Sequence, residues 1–552
     1  MSRVRLWSFL ILLPFVAGIS AGAWLEKSRL IGTGKLAGPP GQEGAGRDKA
    51  ITVYAGTPQA VDEATLFAFD NLSIPFHRNL YLTMHPAQKD PGNPVLKREK
   101  GKPDESRAQY LGTVLRHEGK FKMWYIASDD ESFESHKNRT ISGFRLAYAE
   151  SQDGIRWTKP NLGLVDYRGT RNNNLVLVEP SPLDVIAAVS VLYEPDDPDP
   201  SRRFKMMAAT PAEKTGSTSV PLYSGDGLHW RLAIGGKPIS KREGKWMANR
   251  IPVDRLPLGE FLEQGGLYKW NGMYHIAGQQ HTPWIWLPDG QPCGRVMAIF
   301  RSSNFVHWSD TKSLGFVRYG YRSVPVNEGE ESHEPASIWN RGNVLLGTFG
   351  LFHGSPGGAF HPLDLGLLLS NDGNHFREAL PDFALVPRGQ AGSWDSLGIL
   401  QGQGFENVED RTYVWYGGWD NDVTRPDVHA EIGLVTLRRD GFGSLSPKNP
   451  SAPAAFVTCP LKVNGAGRIW INGEGLSQDA GLRVELLDET ERPLAEYSGE
   501  SSTVLRQAGL RVPVFWKHKT QISGLRTAFR IRVRFEGEQR RAIKLYAVYV
   551  TQ

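Results

Sequence analysis

The chain has 552 residues, of which 40% are hydrophobic and 22% charged, the composition of a globular protein long enough for two or three domains with sizeable cores. Its net charge of +5 is not gathered into a concentrated basic stripe, so the sequence points to no nucleic-acid partner. Two cysteines, Cys293 and Cys459, stand far apart with no Cys/His spacing of a zinc site. They read as unpaired thiols, a disulfide being the alternative in an oxidising compartment, and no metal centre or cofactor is expected.

Arg3 and Arg5 precede an uncharged run from Leu6 to Leu25, and Ala21-Gly22-Ala23 offers an Ala-x-Ala cleavage site. Residues 1–25 therefore read as a signal peptide or as a single membrane anchor, and both alternatives export the rest of the chain. The expected location is periplasmic, secreted or tethered to the membrane facing outward. Residues 26–50, rich in glycine and proline, read as a flexible linker.

From Ile51 the sequence reads as short strands. Thr65-Leu-Phe-Ala-Phe69 is expected to pair with the last unit of a repeat that fills the middle of the chain. In that repeat one phrase returns five times: Ser151-Gln-Asp153-Gly154-Ile-Arg-Trp157, Ser224-Gly-Asp226-Gly227-Leu-His-Trp230, Ser302-Ser-Asn304-Phe-Val-His-Trp308, Ser370-Asn-Asp372-Gly373-Asn-His-Phe376 and the degenerate Arg438-Arg-Asp440-Gly441-Phe442. The intervals are 73, 78, 68 and 68 residues, and each copy follows two strand-like runs such as Lys122–Ile126 and Arg145–Ala149. That period and strand count predict a five-bladed β-propeller over 51–446, with Asp-Gly turning the chain because glycine tolerates positive φ. Two insertions stand out, Asp129–Ser142 and His281–Gly294, the second carrying Trp284 and Trp286.

A Pro/Ala-rich joint from Pro447 to Pro453 ends the propeller. Beyond it, Leu482-Arg-Val-Glu-Leu486 and Phe529-Arg-Ile-Arg-Val-Arg-Phe535 alternate apolar and charged residues, as half-buried antiparallel strands do. Residues 454–552 are expected to form a β-sandwich accessory domain, giving an all-β fold throughout.

An acidic residue recurs where each blade's first strand should begin: Asp104 and Glu105 in blade one, Asp184 in two, Glu263 in three, Glu334 in four and Asp395 in five. First strands line the channel of a propeller, so these side chains are expected to converge on one acidic pocket. Glycosidic bond cleavage needs one protonated and one ionised carboxyl, and crowding acids drives their pKa values apart. The same residues could instead form turns or hold a structural cation in the channel.

These phrases carry a resemblance. The blade pattern resembles the five-bladed propellers of glycoside hydrolase families 32, 43 and 68, and His333-Glu334-Pro335 is similar to the segment that carries the general acid in family 43. More closely, the chain looks like exported bacterial family-32-like hydrolases, through Leu66-Phe-Ala-Phe-Asp70, His85-Pro86 with Asn93-Pro94, Ala149–Pro160, Asn172-Asn-Asn174, Tyr416-Gly-Gly-Trp419 and Ile432–Phe442. It lacks the Trp-Met-Asn-Asp-Pro-Asn-Gly box of invertases and has Leu183-Asp184-Val185 in place of their Arg-Asp-Pro, so a fructosidase is not implied.

The resemblance implies a glycosidase with Glu334 as general acid, Glu105 or Asp104 as base or nucleophile, and Asp184 orienting substrate or tuning the acid's pKa. Glu263 and Asp395 are further candidates for the same pocket. His85, His333 and His429 are candidates for binding sugar hydroxyls, and Trp284, Trp286 and Trp419 for stacking on pyranose faces, against structural roles for each. The expected substrate is a poly- or oligosaccharide. The alternative is a non-catalytic propeller that binds glycan or acts as a scaffold.

Overall fold

Strands account for every regular element of more than one turn among the described residues, which are 50–129, 144–179, 186–212, 216–233, 262–280, 296–318, 331–352, 362–420 and 428–552 of a computed structural model. The leader and nearly all of the linker lie outside them, as does Cys293. Five inner strands, Arg107–His117, Ala188–Tyr193, Glu263–Trp270, Glu331–Asn340 and Gly398–Val408, stand side by side in a closed ring. Each pairs antiparallel with a second strand and that with a third, making the expected five blades.

Ring closure differs from the expectation in its strand. Glu63–Phe67 does not join a blade; it pairs with Lys544–Thr551 at the far end of the chain. The outer strand of blade five is Gln88–Lys89, which pairs with Val435 and Thr436. An N-terminal segment does close the propeller, but about twenty residues later than hydrophobicity suggests. Thr65–Phe69 is apolar because one face of it enters a different core.

That core belongs to the sandwich. One sheet contains Ile51–Val53, Gln59–Val61, Phe76–Arg78, Ala454–Val457, Leu461–Val463, Gly481–Asp488, Val504–Leu505 and Phe529–Glu536. The other contains Glu63–Phe67, Leu80–Met84, Gly443–Pro447, Arg468–Glu474, Gly509–Pro513 and Lys544–Thr551. Ile469, Ile471, Val548 and Val550 of the second sheet meet Leu482, Val484, Ile531 and Val533 of the first in one buried cluster. Residues 51–84, placed with the propeller on sequence grounds, are thus woven into the sandwich.

The repeated phrase explains how the blades hold together. In the first copy Ser151 Oγ accepts the Gly154 N–H at 2.8 Å, and Asp153 Oδ1 accepts the N–H groups of Ile155 and Arg156 at 2.9 and 2.8 Å. This local cage leaves the Gly154 carbonyl pointing outward, where it accepts Trp157 Nε1 of its own copy and Trp415 Nε1 of blade five, at 3.0 and 2.9 Å. The Gly227 carbonyl accepts Trp230 Nε1 and, from blade one, Trp124 Nε1 at 2.9 and 2.7 Å. The Gly373 carbonyl accepts Tyr268 Oη of blade three at 2.8 Å. In the degenerate copy the aspartate itself makes the bond, Arg341 of blade four donating to Asp440 at 2.6 Å. Each of these four copies therefore clamps the preceding blade, and buried aromatic donors find acceptors they need.

Glycine is required at these turns twice over. Gly227 has φ of +81°, and a Cβ there would lie 2.7 Å from Trp124 Cζ2. Gly227→Ala should therefore cost about 3 kcal/mol through strain and overpacking together, measured as the shift in a denaturant unfolding midpoint.

His275 supplies a pH-dependent test of the same fold. Its ring stacks on Tyr268 with centroids 5.0 Å apart, and burial pushes its pKa down to about 4. The folded state binds the proton less readily than the unfolded chain, so stability present above about pH 6.5 is lost as pH falls towards 4. His275→Gln should flatten that loss by up to about 3 kcal/mol, read from unfolding curves at pH 7 and pH 4.5.

Candidate active-site mouth

All five inner strands begin at the same end of the channel, and four of them break register just below it. The irregularities fall between Gln109 and Thr113, Gln264 and Gly266, His333 and Ser337, and Gln401 and Phe405. Bulges at one level of a sheet ring re-aim side chains away from the pleat. The clearest case is Gln403, whose Oε1 accepts the Leu267 N–H at 2.8 Å while its Nε2 donates to Val191 O at 3.3 Å. One blade-five side chain thus ties blades two and three across the axis. The funnel mouth, where the inner strands begin, lies above this tie.

The candidate acids divide into two kinds. Asp104 and Asp395 sit in the loops before blades one and five, and both are buried. Asp104 Oδ2 accepts Tyr125 Oη at 2.8 Å and Lys159 Nζ at 2.5 Å. Asp395 Oδ2 accepts Tyr416 Oη at 2.9 Å and Lys89 Nζ at 2.5 Å, and its Oδ1 accepts Ser393 Oγ at 2.9 Å. The spacing from aspartate to tyrosine is 21 residues in both. In each blade a lysine following or within the outer strand reaches back to the loop that starts the inner strand. Each carboxylate is held between an ammonium and a phenol, whose own ionisation is pushed up by burial and by the adjacent aspartate.

Glu105 is also engaged. Its carboxylate accepts the Gly101 N–H at 3.0 Å and pairs with Arg168 at 3.0 Å. Arg168 lies 3.7 Å from Asp129, which accepts Tyr167 Oη at 3.0 Å and pairs with Arg145 at 3.3 Å. Glu105 therefore belongs to a two-carboxylate, two-arginine network on the rim of blade one.

Glu263 differs because it is on an inner strand. It opens the blade-three strand, half-buried, and accepts Gln279 Nε2 at 2.9 Å. Glu334 lies on the neighbouring inner strand of blade four, within the irregular stretch after His333, whose backbone pairs with Gly350. The side chains of His333 and Glu334 lie outside the described residues, as do Asp184, Trp284 and Trp286 altogether. Among the described inner strands, acids at the entrance end occur only in blades three and four: Glu263, Glu331 and Glu334.

Trp419 and His429 do reach the mouth, from blade five. Trp419 is 4% exposed, packs over Gly398, and its Nε1 has no acceptor among the described residues. His429 Nδ1 lies 2.9 Å from Asp420, which also accepts the His429 N–H at 2.8 Å. His85 is elsewhere. Its Nε2 lies 2.9 Å from Ser444 Oγ and its ring faces Tyr546 of the sandwich, and burial and Lys544 push its pKa down. The structure places it at the domain junction and not in the funnel.

Residues not singled out in the sequence complete the wall. Arg107 opens the blade-one strand, is buried beside Asp420, and burial brings its pKa to about 10 although Asp420 pulls the other way. Gln109, Gln264, Gln279, Gln280 and Gln401 are all buried near strand ends at the mouth. Their signal is an amide within the first four residues of three inner strands, a regularity visible only once strand starts are known. Among the described residues, no three His, Cys, Asp or Glu side chains converge as metal ligands.

No family model matches the chain, and no curated protein matches it in sequence. Solved structures do align with it. A glycosyl hydrolase from Bacteroides ovatus is 14% identical over 64% of this chain and 94% of its own, with a TM-score of 0.39. An N-acetylgalactosamine deacetylase from F. plautii in complex with blood group B trisaccharide is 15% identical over 65% of this chain and 95% of its own, also with a TM-score of 0.39.

The aspartate latches generate a direct test. Lys159→Met strands a buried carboxylate and should cost about 3 kcal/mol. Tyr125→Phe, which removes one bond to the same oxygen and the bond that Asn174 Nδ2 donates to the phenol, should cost about 1–2 kcal/mol. Equilibrium unfolding checks both, and two unchanged midpoints would show that the latch contributes nothing.

Proposed function

We propose that this chain is an exported glycoside hydrolase whose chemistry lies between blades three and four. The observation that supports it is the division of acids at the mouth. Asp104, Glu105 and Asp395 sit in loops before their blades and are engaged by lysine or arginine, whereas Glu263 and Glu334 stand on the adjacent inner strands of blades three and four, at the end where those strands enter the mouth. In this reading Glu334 donates the proton to the leaving glycosidic oxygen, and Glu263, oriented by Gln279, is the ionised partner that attacks or activates water. Trp419 and His429 would border the same substrate from blade five. Residues 1–25 would direct export.

Reducing-sugar release from a panel of plant and algal polysaccharides tests this. Glu334→Gln and Glu263→Gln should each lower turnover by about 10²–10⁴-fold while sugar binding persists. Turnover that survives Glu263→Gln but is lost in Glu105→Gln would move the base to blade one.

The matched charges of Asp104, Glu105 and Asp395 also favour a second reading, a propeller that binds glycan without cleaving it. In that case no substrate is consumed, and the Glu334→Gln change alters affinity alone.

A further inference from the structure

The charge of this protein is unevenly distributed. Residues 447–552 carry sixteen lysines and arginines against ten aspartates and glutamates, so this segment alone exceeds the net +5 of the whole chain. Strand register concentrates part of that excess on one surface. Arg78 lies opposite Ala455, Ala455 opposite Arg534, and Arg534 opposite Arg483. Directly opposite residues share a face, so three guanidinium groups and one alanine form a row across four strands. The next row reads Phe76, Val457, Arg532 and Glu485, and Arg530 stands one step further along its strand.

This face points away from the propeller. The other sheet meets the blades across its breadth, where Tyr549 donates to Asp440 at 2.8 Å and Asn472 donates to the Arg439 carbonyl at 2.7 Å, while this sheet touches blade four only near its opposite edge, where the Thr57 N–H donates to the Asn371 carbonyl at 3.2 Å. The arginines are only partly neutralised. Arg532 and Arg534 share one carboxylate, Glu485, through their Nε atoms at 2.8 and 3.0 Å, and Arg483 grips Glu536. Among the described residues the Nη groups of Arg532 and Arg534 meet no acceptor, which leaves two planar forks open to solvent. Ala455 and Val457 are small and half-buried, so the rows have a shallow floor between Arg78 and Arg534. Strands about 4.8 Å apart put those two residues roughly 10 Å from each other. Phe76, 51% exposed, stands beside the floor with Arg530 stacked 5.7 Å from its ring.

We propose that this outer sheet binds an acidic polysaccharide, with sugar carboxylates seated on the Arg78, Arg532 and Arg534 forks and a sugar face against Phe76. Guanidinium forks match carboxylates bidentately, and an aromatic ring beside them accepts the apolar face of a pyranose. A lipid surface would call for a belt of exposed apolar side chains, and the two rows offer Phe76 alone. The inference does not depend on the catalytic reading, because the face and the funnel lie on different domains.

Retardation of the full chain in native gels containing polygalacturonate tests it, with dextran as the neutral control. The parent should be retarded by polygalacturonate and not by dextran. The Arg78→Gln/Arg534→Gln pair should weaken apparent affinity at least about tenfold, and Phe76→Ala about threefold, with Glu263→Gln unchanged. Glu485 keeps Arg532 in the double variant, and Phe76→Ala carries the test alone should that variant unfold. The proposal is overturned if the parent is not retarded, if these variants bind as it does, or if Glu263→Gln abolishes binding. It is equally overturned if phosphatidylglycerol vesicles or single-stranded DNA bind more tightly than polygalacturonate.

Discussion

A propeller has no single core, so its integrity depends on what passes between blades. In this protein that link is a hydrogen bond from an aromatic donor on one blade to the carbonyl of a turn glycine on the next. Trp124 to Gly227, Trp415 to Gly154 and Tyr268 to Gly373 repeat the device. The turn must be tight enough to present its carbonyl, which the serine and aspartate cage ensures, and bare enough to admit an indole edge, which glycine ensures. Because such bonds join neighbouring blades, the inner strands are brought to a common height, and only then do their first residues share a mouth.

That common height gives meaning to the two classes of acid. Loops before blades one and five are fastened by Asp–Tyr–Lys latches built on the same 21-residue spacing. Such loops are well anchored, and the acid in them has a lysine for company in a buried setting. On the opposite side of the ring, Glu263 stands on the inner strand itself and accepts a hydrogen bond from Gln279.

The five-blade count was legible because the turn has a recurring chemistry: Ser-x-Asp-Gly followed by an aromatic in three copies, with Asn304-Phe305 in the third and a degenerate fifth still recognisable at the same period. The alternating strands of the sandwich were legible for the same kind of reason. The membership of residues 51–84 was not, since an apolar strand such as Glu63–Phe67 shows that it is buried without showing which sheet it joins. The acids stand out in the sequence as a recurring class, yet their distinction rests on distant partners: Lys89 lies 306 residues from Asp395. No local pattern encodes a contact of that range. His85 was misplaced for a related reason, its neighbours Ser444 and Tyr546 coming from the other end of the chain.

The outer strand of blade five also has a temporal side. Gln88–Lys89 leaves the ribosome early, yet the Val435–Thr436 edge it covers is made about 350 residues afterwards. At a synthesis rate of roughly 5–20 residues per second, that interval is on the order of 20–70 s. The strands Ile51–Val53 and Glu63–Phe67 wait longer still for Leu461–Val463 and Lys544–Thr551. Each domain therefore holds an early strand whose partner is synthesised hundreds of residues later, and the unfinished edges must be shielded until that partner arrives.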